Sequence, residues 1–241
     1  MIRRIEFMTV TITSIAGGAP KPVFDKLGPA FEKRTGNRLN ALYDTMSGIA
    51  GRVVAREAFD VLVMLVPLID AYVKDGMILP AGRAVLANIG LAVGVTAERE
   101  VPDVSTPEKL RAALLAACAV VHAPPSATPS GAQSDKIIKQ LGLEQALAGR
   151  VVHKAGLAGG IAMIASGEAE IGIFPKSEIV SGPGVTLAGT LPGVLQLTIV
   201  YGAGVVAASP ASQAAAEFIQ FLIEPESRAV WTGCGFDPPA P

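Results

Sequence analysis

The sequence predicts an α/β protein built from two successive strand–helix–strand sets, and two observations carry that reading. Short β-branched or apolar runs alternate with amphipathic stretches of helical period, the rhythm of a parallel sheet with crossover helices. Loops rich in Gly, Ser, Thr or Pro recur where a strand gives way to a helix. At 241 residues the chain is long enough for one large domain or two small lobes.

Taken in order, residues 8–15 (MTVTITSI) alternate Thr with apolar side chains and read as the first strand. Residues 23–34 place Val23, Phe24, Leu27, Ala30 and Phe31 on one face and Asp25, Lys26, Glu32 and Lys33 on the other, an amphipathic helix that Gly36 ends. A second strand follows over 38–43, a glycine-containing loop opens a helix that runs through Arg56, and 59–66 is a buried apolar strand. Residues 68–75 form another helix, GMILP a break, and 87–95 (ANIGLAVGV) a further strand. The pattern then restarts: STPEKLRAALLAA begins a helix with Ser105 or Thr106 as cap and Glu108 in its first turn, and a strand occupies 119–122. A helix from about Ala132, a strand–glycine loop–helix–strand unit over 151–175, return strands and a closing helix over 211–223 complete the chain.

Half of the residues are hydrophobic and 17% charged, a balance that fits a packed globular chain and excludes general disorder. A net charge of −1 with 5% aromatic residues offers no basic field, so nucleic acid is excluded as a partner class. The longest apolar runs are short or interrupted by Pro, Gln or Gly, which predicts no membrane insertion. At the N-terminus, MIRRIEFMTVTITS follows its arginines with Glu6 and a strand, leaving no uninterrupted apolar segment of a secretory signal. As written the chain is expected to be cytoplasmic, and periplasmic if that terminus is trimmed. Cys118 and Cys234 lack metal or redox spacing and read as unpaired thiols, Cys118 as a small core residue. No metal and no cofactor is expected.

The sequence contains no G-x-S-x-G elbow, Walker A motif, H-E-x-x-H or strand-linked G-x-G-x-x-G. His122 and His153 each end a predicted strand and are expected in structural or surface roles. What recurs is a permissive loop at the carboxyl end of a strand, over 16–22, 44–48, 124–131 and 156–160. Helix N-termini there present unpaired N–H groups and a favourable dipole to an anion, and ligands of open α/β sheets collect at strand carboxyl ends.

The order and spacing of TITSIAGGAPKPVF, TMSGIAGRV, FDVLVML, PDVSTPEKLRAALLAA, PSGAQSDKIIKQLGL, GEAEIGIFPKSEI and TLPGVLQ, over nearly the whole chain, resembles the type II periplasmic solute-binding proteins, in particular the molybdate-binding-protein-like group. The resemblance implies a two-lobed α/β clamshell (type II periplasmic-binding-protein-like), each lobe a mainly parallel sheet flanked by helices. Lobe one is expected over 1–86 and 195–241, lobe two over 87–194, with two crossing strands between them and an anion held in the cleft by N–H groups and hydroxyls. Carried over position by position, the ligand contacts are Gly17, Gly18, Ala19 and Lys21 in the first loop and Thr45, Met46 and Ser47 in the second. The third loop contributes Ser130 and Gly131, the fourth Ala158, Gly159 and Gly160, and Pro175 marks a further position.

Molybdate binders of the group usually carry a hydroxyl residue where Gly17 stands and a tyrosine near Pro175, and neither is present. The implied ligand is therefore a small anion, an organic di- or tricarboxylate ahead of molybdate. The KPV start and the IGI-x-x-x-SEI pattern look closer to a branch that includes aconitate isomerase, although Phe174 and Pro175 stand where that branch commonly has glutamines. An allylic proton shift needs a base beside the acidic carbon and N–H or cationic partners for the carboxylates; Lys21, Asp44 and Glu178 are the catalytic candidates. Three classes stay open: a non-catalytic binding protein, an isomerase acting on a small polycarboxylate, and a cytoplasmic ligand sensor. An ABC permease is a partner only if the chain is exported.

Overall fold

The computed structural model describes residues 9–239. The first set comprises β1 (Thr11–Ala16), α1 (Lys21–Thr35), β2 (Arg38–Tyr43), α2 (Met46–Val54), β3 (Val61–Leu65) and α3 (Val66–Lys74). Residue 8, the expected start of the first strand, lies outside the described residues. Helix α1 starts two residues earlier than its apolar period suggests because Pro20 and Pro22, which have no N–H to leave unpaired, sit at its N-terminus. Gly36, at φ 77°, ends it in the left-handed conformation that glycine adopts without strain.

Strand β4 (Ile78–Thr96) is 19 residues long, where the sequence predicts a break at GMILP and a strand only over 87–95. Pro80 and Gly82 suggest the break, but the pairing register shifts between Ile78 and Arg83, so Pro80 falls where the ladder is interrupted and its missing N–H removes no bond. The remaining elements are α4 (Pro107–Ala116), β5 (Val120–His122), α5 (Pro129–Gln140), β6 (Val151–His153), α6 (Gly160–Ser166), β7 (Ile171–Pro175), α7 (Lys176–Val180), β8 (Val185–Thr190), β9 (Thr198–Val206), α8 (Ser212–Ile223) and α9 (Pro225–Gly233). Helix α9 is an addition to the sequence-based reading. Its Pro225 and Gly233 suggest a tail, yet Pro225 occupies the helix start and the Trp231 indole donates to Leu222 O at 3.0 Å.

Strands β2, β1 and β3 run parallel, and β9 joins β3 antiparallel. In the other half β6, β5 and β7 run parallel. The long β4 links the halves: residues up to Gly90 pair with β9, and from Leu91 onward the same strand pairs with β7 and β8. Each lobe is thus parallel where strand and helix alternate and antiparallel where the crossing strands enter, giving a two-lobed α/β clamshell.

The core of the first half is aromatic. Phe24 and Phe31 of α1 meet Phe218 of α8 edge-on at 5.6 and 5.0 Å, and Trp231 meets Phe236 at 4.8 Å, contacts that fix the outer helices on the sheet. Gly204 lies where a side chain would strike Ile78, so GAG in β9 is a packing point. Cys234 is buried, but Cys118 is exposed, contrary to the expected core position. The reason is local: α4 stops at Ala116, and the Cys118 N–H turns outward to donate to Glu170 at 2.6 Å. No helix among the described residues is long and apolar enough to cross a membrane.

Candidate functional site

Both parallel strand sets end toward the same space, a cavity of about 240 Å³ between the lobes. On the first-lobe wall stand Gly18, Tyr43, Asp44 and Thr45. On the second-lobe wall stand Ala123, Thr128 and Ser130, the turn from Ala155 to Ala158, Phe174 and Glu178. No Lys or Arg lines the cavity among the described residues.

The helix starts are built alike on the two walls. Thr45 caps α2, its Oγ1 accepting the Gly48 N–H at 3.1 Å with Ser47 Oγ 3.3 Å away. Thr128 caps α5, its Oγ1 accepting the Gly131 N–H at 3.0 Å with Ser130 Oγ at 3.0 Å. Pro129 has no N–H and Gly131 donates to the cap, so in that first turn the Ser130 N–H is the donor left for a ligand. The walls also touch: Ser47 N donates to Ala127 O at 3.3 Å, and buried Ser177 Oγ donates to Ala19 O at 2.8 Å.

Two groups lining the cavity have unusual electrostatics: burial raises the Tyr43 phenol well above its ordinary range, and the Glu178 carboxyl is raised as well. The Glu178 carboxyl lies against Gly18 on one side and Gly156 on the other, so that a methyl group at 18 would stand 2.9 Å from Oε1 and one at 156 would collide with Oε2. No ion pair to it is formed among the described residues. Protein surrounds the group while one side borders the cavity, and this desolvation pushes its pKa up to about 7. Tyr201 of β9 is 4% exposed, and a methyl at Gly17 would stand 3.0 Å from its hydroxyl. Burial, with the Glu178 charge adding to it, raises the phenol well above its ordinary range.

Of the residues singled out in the sequence, Gly18, Asp44, Thr45, Ser130, Ala158 and Glu178 line the cavity. Gly17 instead makes room for Met46 and Tyr201, Met46 is packed into the core, and Ala19 is buried. Lys21 turns to the outer surface, where its ammonium pairs with Asp25 at 2.6 Å and lies 5.4 Å from the Tyr43 ring centre. Ser47 is exposed and bonds across the walls through its backbone. Gly131 packs beneath the Ala123 and Pro124 carbonyls, Gly159 turns the chain at φ 105°, Gly160 packs on Lys154 O and Phe174, and Pro175 is buried behind Phe174. The α1 N-terminus offers the ligand little, because Lys21 N already donates to Gly18 O and both neighbouring residues are prolines.

Sequence reasoning missed Tyr43, Ala123, Ala155, Phe174 and Tyr201; Thr128, Gly156 and Leu157 lie within the loops it marked but were not singled out as ligand contacts. For Thr128 a signal existed, since TPSG repeats the TMSG of the first wall. For Tyr201 it was a lone phenol in the apolar run TIVYGAGVV. His122 does not line the cavity but lies next to it: fully buried, its Nδ1 donates to Ala123 O at 2.8 Å and its ring centre is 4.8 Å from that of exposed His153.

Over 236 residues, 95% of this chain and 88% of the other, the sequence is 25% identical to an aconitate isomerase from Pseudomonas sp. The fold is similar to the periplasmic molybdate-binding protein of Azotobacter vinelandii (TM-score 0.80, 18% identity, 95% of this chain and 100% of that one). It is also similar to the sulfate-binding protein SubI of Mycobacterium tuberculosis H37Rv (TM-score 0.73, 19% identity, 96% and 88%). Residues 12–237 match the family model of bacterial extracellular solute-binding proteins, so with its crossing strands and interlobe cavity the chain belongs to that family.

Proposed function

We propose that the cavity binds a small organic di- or tricarboxylate. The observation that carries this is the wall itself: two threonine-capped helix starts and a glycine turn face a cavity that also has apolar walls, Leu157 and Phe174, and a carboxyl group. N–H groups and hydroxyls suit carboxylate oxygens, the apolar walls suit a short carbon skeleton, and the volume suits a ligand well below drug size. A thermal-shift screen of molybdate, tungstate, sulfate and di- and tricarboxylates tests it, because a ligand of the folded state raises the melting midpoint by mass action. Organic acids are expected to stabilise the protein and Ser130→Trp, which fills the cavity, to remove that effect. Stabilisation by molybdate alone would sink the organic-acid reading.

A second reading, an isomerase moving a proton on such an acid, is favoured by Glu178 and by the sequence similarity to an aconitate isomerase. A carboxyl poised near neutrality is suited to take a proton from a methylene carbon beside a carboxylate and return it to the far carbon of the double bond, while N–H groups hold the enolate-like charge. Proton NMR of cis-aconitate with the protein decides: appearance of the trans isomer, lost in Glu178→Gln, supports catalysis, and an unchanged spectrum with a bound ligand leaves a binding protein.

A further inference from the structure

We infer that the site takes up its ligand together with one proton, which resides on Glu178 and is shared with a carboxylate of the bound acid. The inference rests on the reading that the cavity binds a small polycarboxylate and adds to it a specificity-determining residue and a proton stoichiometry.

Among the described residues the geometry leaves Glu178 without a counter-charge. Facing it from the loop after β1 is Gly18, and from the turn after β6 are Gly156 and Leu157, none of them titratable. From β9 comes the Tyr201 phenol, which is raised and so stays neutral. Across the cavity stand the Tyr43 phenol and the Asp44 carboxylate, the second of which adds negative charge. On its own helix, Lys176 runs along Gly235 of the C-terminal segment; in the turn after β6, the Lys154 side chain packs on Gly159. An anionic ligand therefore enters a cavity whose charged lining groups, among the described residues, are carboxyls alone.

Two carboxylates sharing one poorly solvated site do not both stay ionised, and the first proton binds tightly. Retained on Glu178, it makes the side chain a donor, and an O–H to carboxylate hydrogen bond is among the short, strong ones. The fixed position of that donor between Gly18 and Gly156 selects a ligand with a carboxylate at that point. Before any ligand arrives Glu178 is already about half protonated near pH 7, since burial has raised it to about 7.

Calorimetry of tricarballylate, a saturated tricarboxylate that cannot isomerise, tests this in buffers of equal pH and different ionisation enthalpy. The wild-type protein is expected to take up about half a proton per ligand at pH 7 and nearly one by about pH 8, with affinity falling about tenfold per pH unit above that. Glu178→Gln, a neutral mimic of the protonated acid, is expected to bind without proton uptake and with affinity flat over the same range. Wild-type binding without uptake overturns the inference and leaves the polycarboxylate reading standing. Uptake that survives in Glu178→Gln places the proton on the ligand and also overturns it. If the variant does not fold, the carboxyl ¹³C shifts of bound tricarballylate decide: ionised shifts accompanied by uptake support a proton on the protein, protonated shifts refute it. Absence of binding by tricarballylate and by both aconitates removes the polycarboxylate reading and the inference with it.

Discussion

The two walls of the cavity begin their helices with one pattern, Thr45-Met46-Ser47-Gly48 and Thr128-Pro129-Ser130-Gly131, yet the two copies are set in different surroundings. In the first lobe Ser47 is exposed, and what crowds Gly48 is the Asp44 side chain, held by one hydrogen bond from Thr45 N at 2.7 Å rather than by fixed backbone. In the second lobe Ser130 is 5% exposed, and Gly131 lies under backbone carbonyls, with Pro124 O 2.5 Å from where a methyl group would be. Identical capping chemistry thus yields one adaptable wall and one rigid wall, and the packing behind the motif makes the difference.

The same methyl group added to each wall should affect them most unequally. Gly131→Ala drives a side chain into fixed backbone and is expected to cost about 2–3 kcal/mol, the upper part of the range for overpacked sites. Gly48→Ala is expected to be within about 1 kcal/mol of wild type, since the one hydrogen bond Asp44 gives up on moving aside, from Thr45 N, is offset by alanine being the better helix former. Urea unfolding of the two variants checks it; equal midpoints would mean that the walls are equally rigid.

Glu178 sharpens the contrast by placing a titrating group on the rigid wall. Its pKa is raised in the folded state, from the ordinary 4.5 to about 7, so the native protein holds a proton that the unfolded chain releases. Stability is therefore highest below about pH 4.5 as far as this group is concerned, falls as pH rises through about 7, and is level above that. The loss is on the order of 2 kcal/mol once the side facing the cavity is discounted for solvent screening. Glu178→Gln should flatten the stability curve over that window; an unchanged slope would show that the carboxyl is well solvated.

Much of the fold is legible in the sequence because the periods of two and of three to four residues are clean in residues such as those of β1 and α1, and because glycine marks the turns. The 19-residue span of β4 is not, since Pro80 and Gly82 carry the same signal whether a strand ends or its ladder merely skips. The site is legible as a set of loops but not as a set of side chains. Whether a loop residue faces the cavity depends on tertiary neighbours: Gly17 and Gly18 are adjacent in sequence, but the first accommodates Tyr201 and only the second lines the cavity. Lys21 looks like an anion ligand until Asp25, one helical turn away, pairs with it on the outer face. Glu178 was nameable as an acid–base candidate, but its lack of a counter-charge comes from loops far away in sequence.

The smallest expected effect isolates the caps themselves. Thr45→Ala and Thr128→Ala each remove one side-chain acceptor from a helix start, at 3.1 and 3.0 Å from its N–H partner, and each should cost about 1 kcal/mol. Thr→Ser at either position keeps the acceptor and should restore most of that loss. Because the bonds are nearly equal in length, equal costs would place the difference between the walls wholly in the packing of Gly48 and Gly131. A Thr128→Ala loss clearly larger than that of Thr45→Ala, measured by urea unfolding, would instead mean that the cap on the rigid wall also holds Ser130 in place, since that hydroxyl lies 3.0 Å from Thr128 Oγ1.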